Sequence, residues 1–346
     1  MIYRKIFTFS LAAASLAACK SKPAPAAAAT DAVQATVVTE STQYDSDDPA
    51  IWVNKADSSK SLIIGTDKNS DGALYVYNLE GKIVKKVDGL KRPNNVDIAY
   101  GLLLNNEPVD IAVTTERETN KLRIYRLPEM TPVDNGGIEV FTGEAARGPM
   151  GISLYTRPAD KAIFAIVSRK SGPATGYLWQ YQLTDSNGHV TGTLVRKFGT
   201  YSGKKEIESV AVDNELGYVY YSDEQTGVRR YHADPAKGDT ELALFGAGDF
   251  KVDNEGISIY KTTDSTGYIL VSDQDVNSFN VYDRAAAKPV LLARVPVSAI
   301  NSDGSDVLNV NLGPQFPNGI FVAMSTDKTF HFYDWRKIAE RITHYK

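Results

Sequence analysis

Ala73-Leu74-Tyr75-Val76-Tyr77 is the first of six short, β-rich runs in this chain that end on tyrosine. The others are Leu122-Arg123-Ile124-Tyr125, Leu178-Trp179-Gln180-Tyr181, Val228-Arg229-Arg230-Tyr231, Phe279-Asn280-Val281-Tyr282 and Phe330-His331-Phe332-Tyr333. Their closing tyrosines are 48, 56, 50, 51 and 51 residues apart, near the period of about 40 to 50 at which four-stranded propeller blades repeat. Most follow a Gly, Asn or Ser turn, as a hairpin requires. The fold class expected is all-β, a six-bladed β-propeller. A β-sandwich is the alternative, but it gives no reason for a period near 50.

Working outward from each run, a second apolar strand precedes it: Leu62 to Thr66, Val109 to Thr115, Ala162 to Ser168, Tyr218 to Ser222, Tyr268 to Ser272 and Ile320 to Ser325. Before these stand inner-strand candidates beginning at Ala50, Val96, Gly151, Val210, Gly256 and about Val307. The sixth repeat ends early, in a helix-like tail from Trp335 to Ile342. The Val- and Thr-rich stretch from Val33 to Thr39 is expected to supply the missing outer strand and close the ring, which removes open sheet edges.

The chain has 346 residues, 42% hydrophobic and 23% charged, with a formal charge of −4. One closed all-β domain of this size is ordinary, and the composition is that of a globular protein. Removing the first 18 residues takes away Arg4 and Lys5 and leaves −6, which argues against nucleic acid as a partner. A monomer is expected. The N-terminus reads as a signal peptide over residues 1–18: basic Arg4 and Lys5, an apolar run from Ile6 to Leu16 too short to span a bilayer, then Ala17 and Ala18. Cys19, the only cysteine, completes Leu16-Ala17-Ala18-Cys19, which resembles a bacterial lipobox; the alternative is an ordinary signal peptide with an incidental cysteine. The expectation is an exported protein, lipidated on Cys19 and anchored to a bacterial membrane of the cell envelope, the outer membrane being the one favoured. Residues 19–31, rich in Ala, Pro, Lys and Ser, form the linker, and residues 32–346 the propeller domain.

In a blade, the start of the first strand and the end of the second share one end face. The first set of positions collects Asp45, Asp47, Asp48, Asn94, Asn95, Glu206, Glu208, Asp253, Glu255, Asp303 and Asp306. The second collects Asp67-Lys68, Glu116-Arg117, Arg169-Lys170, Asp223-Glu224, Asp273-Gln274 and Thr326-Asp327. Cations from blades one to three are thus expected opposite carboxylates from blades four to six. Crowded carboxylates need neutralising, and oxygen donors without His or Cys favour Ca²⁺ or Mg²⁺, a flexible set favouring Ca²⁺. Turn chemistry explains single Asp or Asn residues but not Glu208, Glu224 and Glu255. His189, His232, His331 and His344 are expected in loops, outer strands or the tail. That placement leaves no zinc triad or His-assisted nucleophile.

Asp45-Ser46-Asp47-Asp48-Pro49-Ala50-Ile51-Trp52, Asn94-Asn95-Val96-Asp97, Glu116-Arg117, Asp253-Asn254-Glu255-Gly256, Leu312-Gly313-Pro314 and Gly319-Ile320-Phe321-Val322 resemble the β-propeller phytases, in family order, from about Tyr44 to Ile342. The resemblance implies a calcium-dependent phosphomonoesterase of the 3-phytase type, holding several Ca²⁺ ions and acting on myo-inositol hexakisphosphate (phytate). It implies Asp47, Asp48, Glu208, Asp253, Glu255 and Asp303 as calcium ligands, helped by the Val96 carbonyl. Lys68, Arg117 and Lys170 would hold substrate phosphates, with Glu224 beside the one cleaved.

The chain departs from the family pattern at Met150, where a tyrosine is usual, at Asn69 for a lysine, at Ser171 for an acidic residue, and in the short Ile300-Asn301-Ser302-Asp303-Gly304 stretch. These departures keep open a non-catalytic propeller that binds an anion or partner through calcium. A phosphodiesterase or lactonase on a similar metal-bearing propeller also stays open.

Overall fold

The computed structural model describes Met1 and residues 27–343. The expected signal segment, Cys19, most of the linker and His344 lie outside the described residues. Six antiparallel sheets follow one another along the chain. Their inner strands are Ser46–Trp52, Pro93–Leu104, Pro149–Thr156, Val210–Asp213, Asn254–Lys261 and Ser305–Leu308. The second strands are Leu62–Asp67, Glu107–Glu116, Ile163–Arg169, Tyr218–Asp223, Gly267–Asp273 and Ile320–Ser325. The tyrosine runs form the third strands, Gly72–Tyr77, Lys121–Leu127, Thr175–Ser186, Gly227–His232, Ser278–Asp283 and Thr329–Asp334.

Successive side chains on a strand point to opposite faces, and here both faces are buried. In blade one, Tyr75 and Tyr77 pack with Val322, Phe330 and Phe332 of blade six. Leu74 and Val76 pack instead with Val96, Ala112 and Tyr125 of blade two. Four further apolar clusters fill the remaining blade boundaries, from two and three round to five and six. Double burial is why these strands read as continuous apolar runs rather than alternating ones.

Four of the six recurrent tyrosines fasten their blade to the chain segment that enters it. The Tyr181 hydroxyl accepts from the Phe141 amide at 2.8 Å, Tyr231 from Thr200 at 3.2 Å and Tyr333 from Ala299 at 2.8 Å, while Tyr282 donates to Asp249 at 3.1 Å. A second tie crosses the blade boundaries. The hydroxyls of Thr66, Thr115, Ser168, Ser222 and Ser272, each next to last in a second strand, donate to the carbonyls of Asn94, Met150, Ile207, Glu255 and Ser302 at 2.6 to 2.7 Å. At the sixth boundary the polarity reverses, and Ser46 Oγ donates to the Ser325 carbonyl at 2.8 Å.

The ring closes as the sequence predicts. Val37–Val38 forms the outer strand of blade six, with Val37 opposite Phe332 and Val38 opposite His331. The helix Trp335–Thr343 lies against the same blade, burying Ile338 and Ile342 and stacking Trp335 on Tyr260 at 3.6 Å between ring centroids. The six inner strands surround a channel of about 480 Å³.

Thr66→Val keeps the shape of the side chain but removes the bond to Asn94 and the acceptor for the Asp48 amide at 2.9 Å. It is expected to lower stability by about 1–3 kcal/mol, the range for leaving buried polar groups unpaired, measured by urea denaturation. An unchanged midpoint would show that the boundary hydroxyls carry no load.

Candidate active site on the acidic end face

Most of the expected site residues meet at one mouth of the channel, in two ion clusters. The first is centred on Lys68 Nζ, which contacts Asp47 and lies 3.4 Å from Asp303 and 3.6 Å from Glu208. Blades one, six and four therefore converge on a single ammonium. Glycine allows that approach: a Cβ on Gly304 would sit 2.4 Å from Asp48 Oδ1, and one on Gly151 only 2.1 Å from the Glu208 carbonyl oxygen. Asp48 Oδ2 accepts from the Val96 amide at 3.0 Å. The Val96 side chain lies in the apolar cluster between blades one and two.

Arg117 reaches the same cluster from blade two, 3.7 Å from Glu208 and against Asn94 Oδ1 and Met150 Sδ, the sulfur at 2.9 Å. Met150 thus occupies the wall behind the guanidinium. Asn69 is taken up by its own turn, accepting from the Asp71 amide at 3.0 Å, and Ser171 is exposed. Lys170 pairs with Glu206 at the rim.

The second cluster lies across blades four and five. Glu224, Asp253 and Glu255 bring carboxylate oxygens within 4.8 Å of one another, as do Glu206, Glu208 and Glu224. Lys205 Nζ sits in the first of these triads, 2.7 Å from Glu224, 2.6 Å from Asp253 and 3.3 Å from Glu255. Sequence reasoning missed Lys205. Its one signal is the Lys204-Lys205 pair directly ahead of Glu206 and Glu208.

The expected division of the face by sign is corrected: cations and carboxylates interleave. Arg169 leaves the face altogether. It is buried, lies over the rings of Phe141 and Tyr177 at 4.7 and 5.6 Å, and pairs with Glu144 at 3.3 Å. Asp306 faces the channel rather than the mouth, accepting from the Ile51 amide of blade one at 2.8 Å. Asp97 does the same for Leu154 at 2.7 Å. Asp67, Glu116, Asp223 and Asp273 are turned back on their own blades, each accepting an amide of the incoming segment, from Asp45, Lys91, Ser202 and Lys251 at 2.7 to 3.0 Å. His189 opens an outer strand, but His232 and His331 lie on third strands, away from the mouth as expected.

Burial pushes the carboxyls of Asp47, Asp48 and Glu255 well above the usual range, with neighbouring carboxylates adding to the shift. Burial raises Asp303 as well, against the pull of Lys68. Glu224 is pushed up to about 7 by burial, against Lys205. At Glu208 burial acts upward too, but Lys68, Asn94 and Arg117 together hold its carboxyl low. Among the described residues, Asp47 Oδ2, Glu224 Oε1 and Glu255 Oε2 are buried with no hydrogen bond. Such oxygens in a His- and Cys-free set fit a hard, oxygen-seeking cation such as calcium, which takes about six to eight oxygen ligands.

Asp306 is raised to about 7 and Asp97 to about 6, both chiefly by desolvation in the channel. With Glu224 at about 7, these groups hold protons in the folded state that the unfolded chain has released. Stability therefore falls as pH rises from about 4 to about 8. The chelator-treated protein is expected to melt at lower temperature at pH 8 than at pH 5.5, read by differential scanning fluorimetry. A higher melting temperature at pH 8 would contradict the protonated carboxyls.

The family model for Phytase matches residues 5–343 of the chain. The 3-phytase of Bacillus subtilis (strain 168) is 31% identical over 328 residues, covering 86% of this chain and 81% of that protein. Among solved structures, the Dos1 propeller aligns with 84% of this chain and 68% of its own, at 14% identity and a TM-score of 0.45. Kuenenia stuttgartiensis hydrazine synthase aligns over 82% of each chain, at 11% identity and a TM-score of 0.49.

Proposed function

The chain belongs to the phytase family and is a phosphomonoesterase of the 3-phytase kind, and from that premise we propose that it removes phosphate from phytate with calcium held at the acidic mouth. The observation that carries the calcium part is an imbalance of charge. Among the described residues, Asp47, Asp48, Glu206, Glu208, Glu224, Asp253, Glu255 and Asp303 outnumber the cations they meet, Lys68, Arg117, Lys170 and Lys205. A substrate bearing many phosphates would be repelled by that surface without further positive charge. Asp47, Asp48, Glu208, Asp303 and the Glu224, Asp253, Glu255 triad are the residues that would hold the ions. Bound calcium would neutralise both partners and acidify a water molecule for attack on phosphorus.

The protein's own groups do the rest. Arg117 is fixed by Asn94, Met150 and Glu208, and its Nε is buried with no hydrogen bond, so its fork is oriented to take two phosphate oxygens. Lys170, half exposed at the rim, suits a more distant phosphate, and Lys68 a phosphate drawn down towards Asp47. Together they stabilise the charge that spreads over the transferring phosphoryl group. Glu224 Oε1 is buried and free of hydrogen bonds, and a carboxylate oxygen so placed can accept the proton of the attacking water. The same proposal has the enzyme exported and tethered to the envelope membrane by lipid on Cys19, acting as a monomer.

Phosphate release from phytate is expected to require calcium and to stop on chelation. No calcium-dependent release anywhere between about pH 5 and 9, a span that includes the usual stability optimum, would sink the proposal. Arg117→Ala is expected to lower kcat/KM by about 100-fold or more while circular dichroism stays that of the parent. Parental turnover in this variant would show that the guanidinium does not touch the reacting phosphate.

A further inference from the structure

Lys205 stands apart from the other cations of the mouth. Its ammonium rests among three carboxyl groups at 2.6 to 3.3 Å, a set with more oxygen donors than one lysine can satisfy. Glu224 and Glu255 are 1% and 3% exposed, and the oxygens of theirs that Lys205 does not reach, Glu224 Oε1 and Glu255 Oε2, are buried with no hydrogen bond. The lysine's backbone is fixed: Tyr201 Oη donates to the Lys205 carbonyl at 2.5 Å, Tyr201 lies against Tyr177 at 4.4 Å between centroids, and Ser202 is tied to Asp223 by its amide and hydroxyl. Its side chain is one-third exposed, against 12% for Lys68. Lys205 can therefore swing towards solvent without moving the loop, whereas Lys68 is enclosed.

We infer that Lys205 is a built-in counter-cation that a divalent ion must displace from the Glu224, Asp253 and Glu255 triad, so that this lysine sets the metal concentration at which the site fills. The inference rests on the calcium-binding reading above. A doubly charged ion neutralises the triad better than one ammonium does, and the cost of evicting the lysine is subtracted from metal affinity. With the metal in place, the freed ammonium stands at the mouth beside Lys204, whose own Nζ bonds the Gln225 carbonyl at 2.9 Å.

The test is calcium titration of the chelator-treated full chain by isothermal calorimetry, comparing the parent with Lys205→Met, Lys205→Gln, Lys205→Arg and Lys204→Met. Lys205→Met and Lys205→Gln are expected to bind calcium at least fivefold more tightly, with unchanged stoichiometry. Lys205→Arg should stay within twofold of the parent, as should Lys204→Met, which removes a charge next door without touching the triad. The melting temperature of Lys205→Met should fall only in chelator and match the parent in calcium, whereas a purely structural lysine would lower both. Equal or weaker affinity in both uncharged Lys205 variants would overturn the inference, as would an equal gain in Lys204→Met. So would one additional bound ion in Lys205→Met, because the lysine would then be a permanent substitute rather than a displaceable one. If the parent binds no calcium, the calcium reading falls with it. If the parent binds and the variants do not differ, only the role of Lys205 falls.

Discussion

A hydroxyl that crosses from one blade to the next sets the geometry of the whole ring. Thr66, Thr115, Ser168, Ser222 and Ser272 each hold the carbonyl at the start of the neighbouring inner strand. Near the axis the sheets converge, their edges approach too closely for large apolar side chains, and backbone carbonyls would be stranded without a partner. A short hydroxyl satisfies that carbonyl and fixes the distance between blades in one contact. The carbonyls so held belong to Asn94, Met150, Ile207, Glu255 and Ser302, and each is a site residue or the immediate neighbour of one. The tie that closes the ring is therefore also the one that positions the acidic mouth.

The fold was legible because its signals repeat. Tyrosine recurs near the end of each third strand for a physical reason, since its ring fills a boundary and, in four of the six blades, its hydroxyl fastens the incoming segment. Valine and threonine ahead of blade one read as a closing strand because nothing else could complete blade six. The site was legible as a set of positions but less so residue by residue. A carboxylate at the end of a second strand can face the mouth, as Glu224 does, or turn back to hold its own loop, as Asp223 does one residue earlier. Strand side chains alternate, so a shift of one position exchanges those fates, and sequence alone does not reveal the register of an irregular strand end. Arg169 was misplaced on the face for that reason. Lys205 was missed for another, because it lies in a connection whose path only the assembled ring defines.

The mouth is a place where stability is given up. Asp47, Glu224 and Glu255 are buried with oxygens that make no hydrogen bond, and burial first, then neighbouring carboxylates, raises their carboxyls. A fold selected for stability alone would fill such positions with apolar side chains. Six interlocked apolar boundaries tolerate the strain, and an incoming cation relieves it.

Closure of the ring has a temporal side. Val37 and Val38 are among the first residues of the domain to leave the ribosome, yet their partners Phe332 and His331 lie almost at the other end. Until blade six has been made, the early segment has no strand to join, and blade one shows its bare flank where Phe330 will later sit against Gly65. Pairing over so long a separation is slow, because the intervening chain must be ordered before the contact can form. Closure of the ring therefore waits on the last blade, and until Val37–Val38 joins it the outer edge of blade six has no partner.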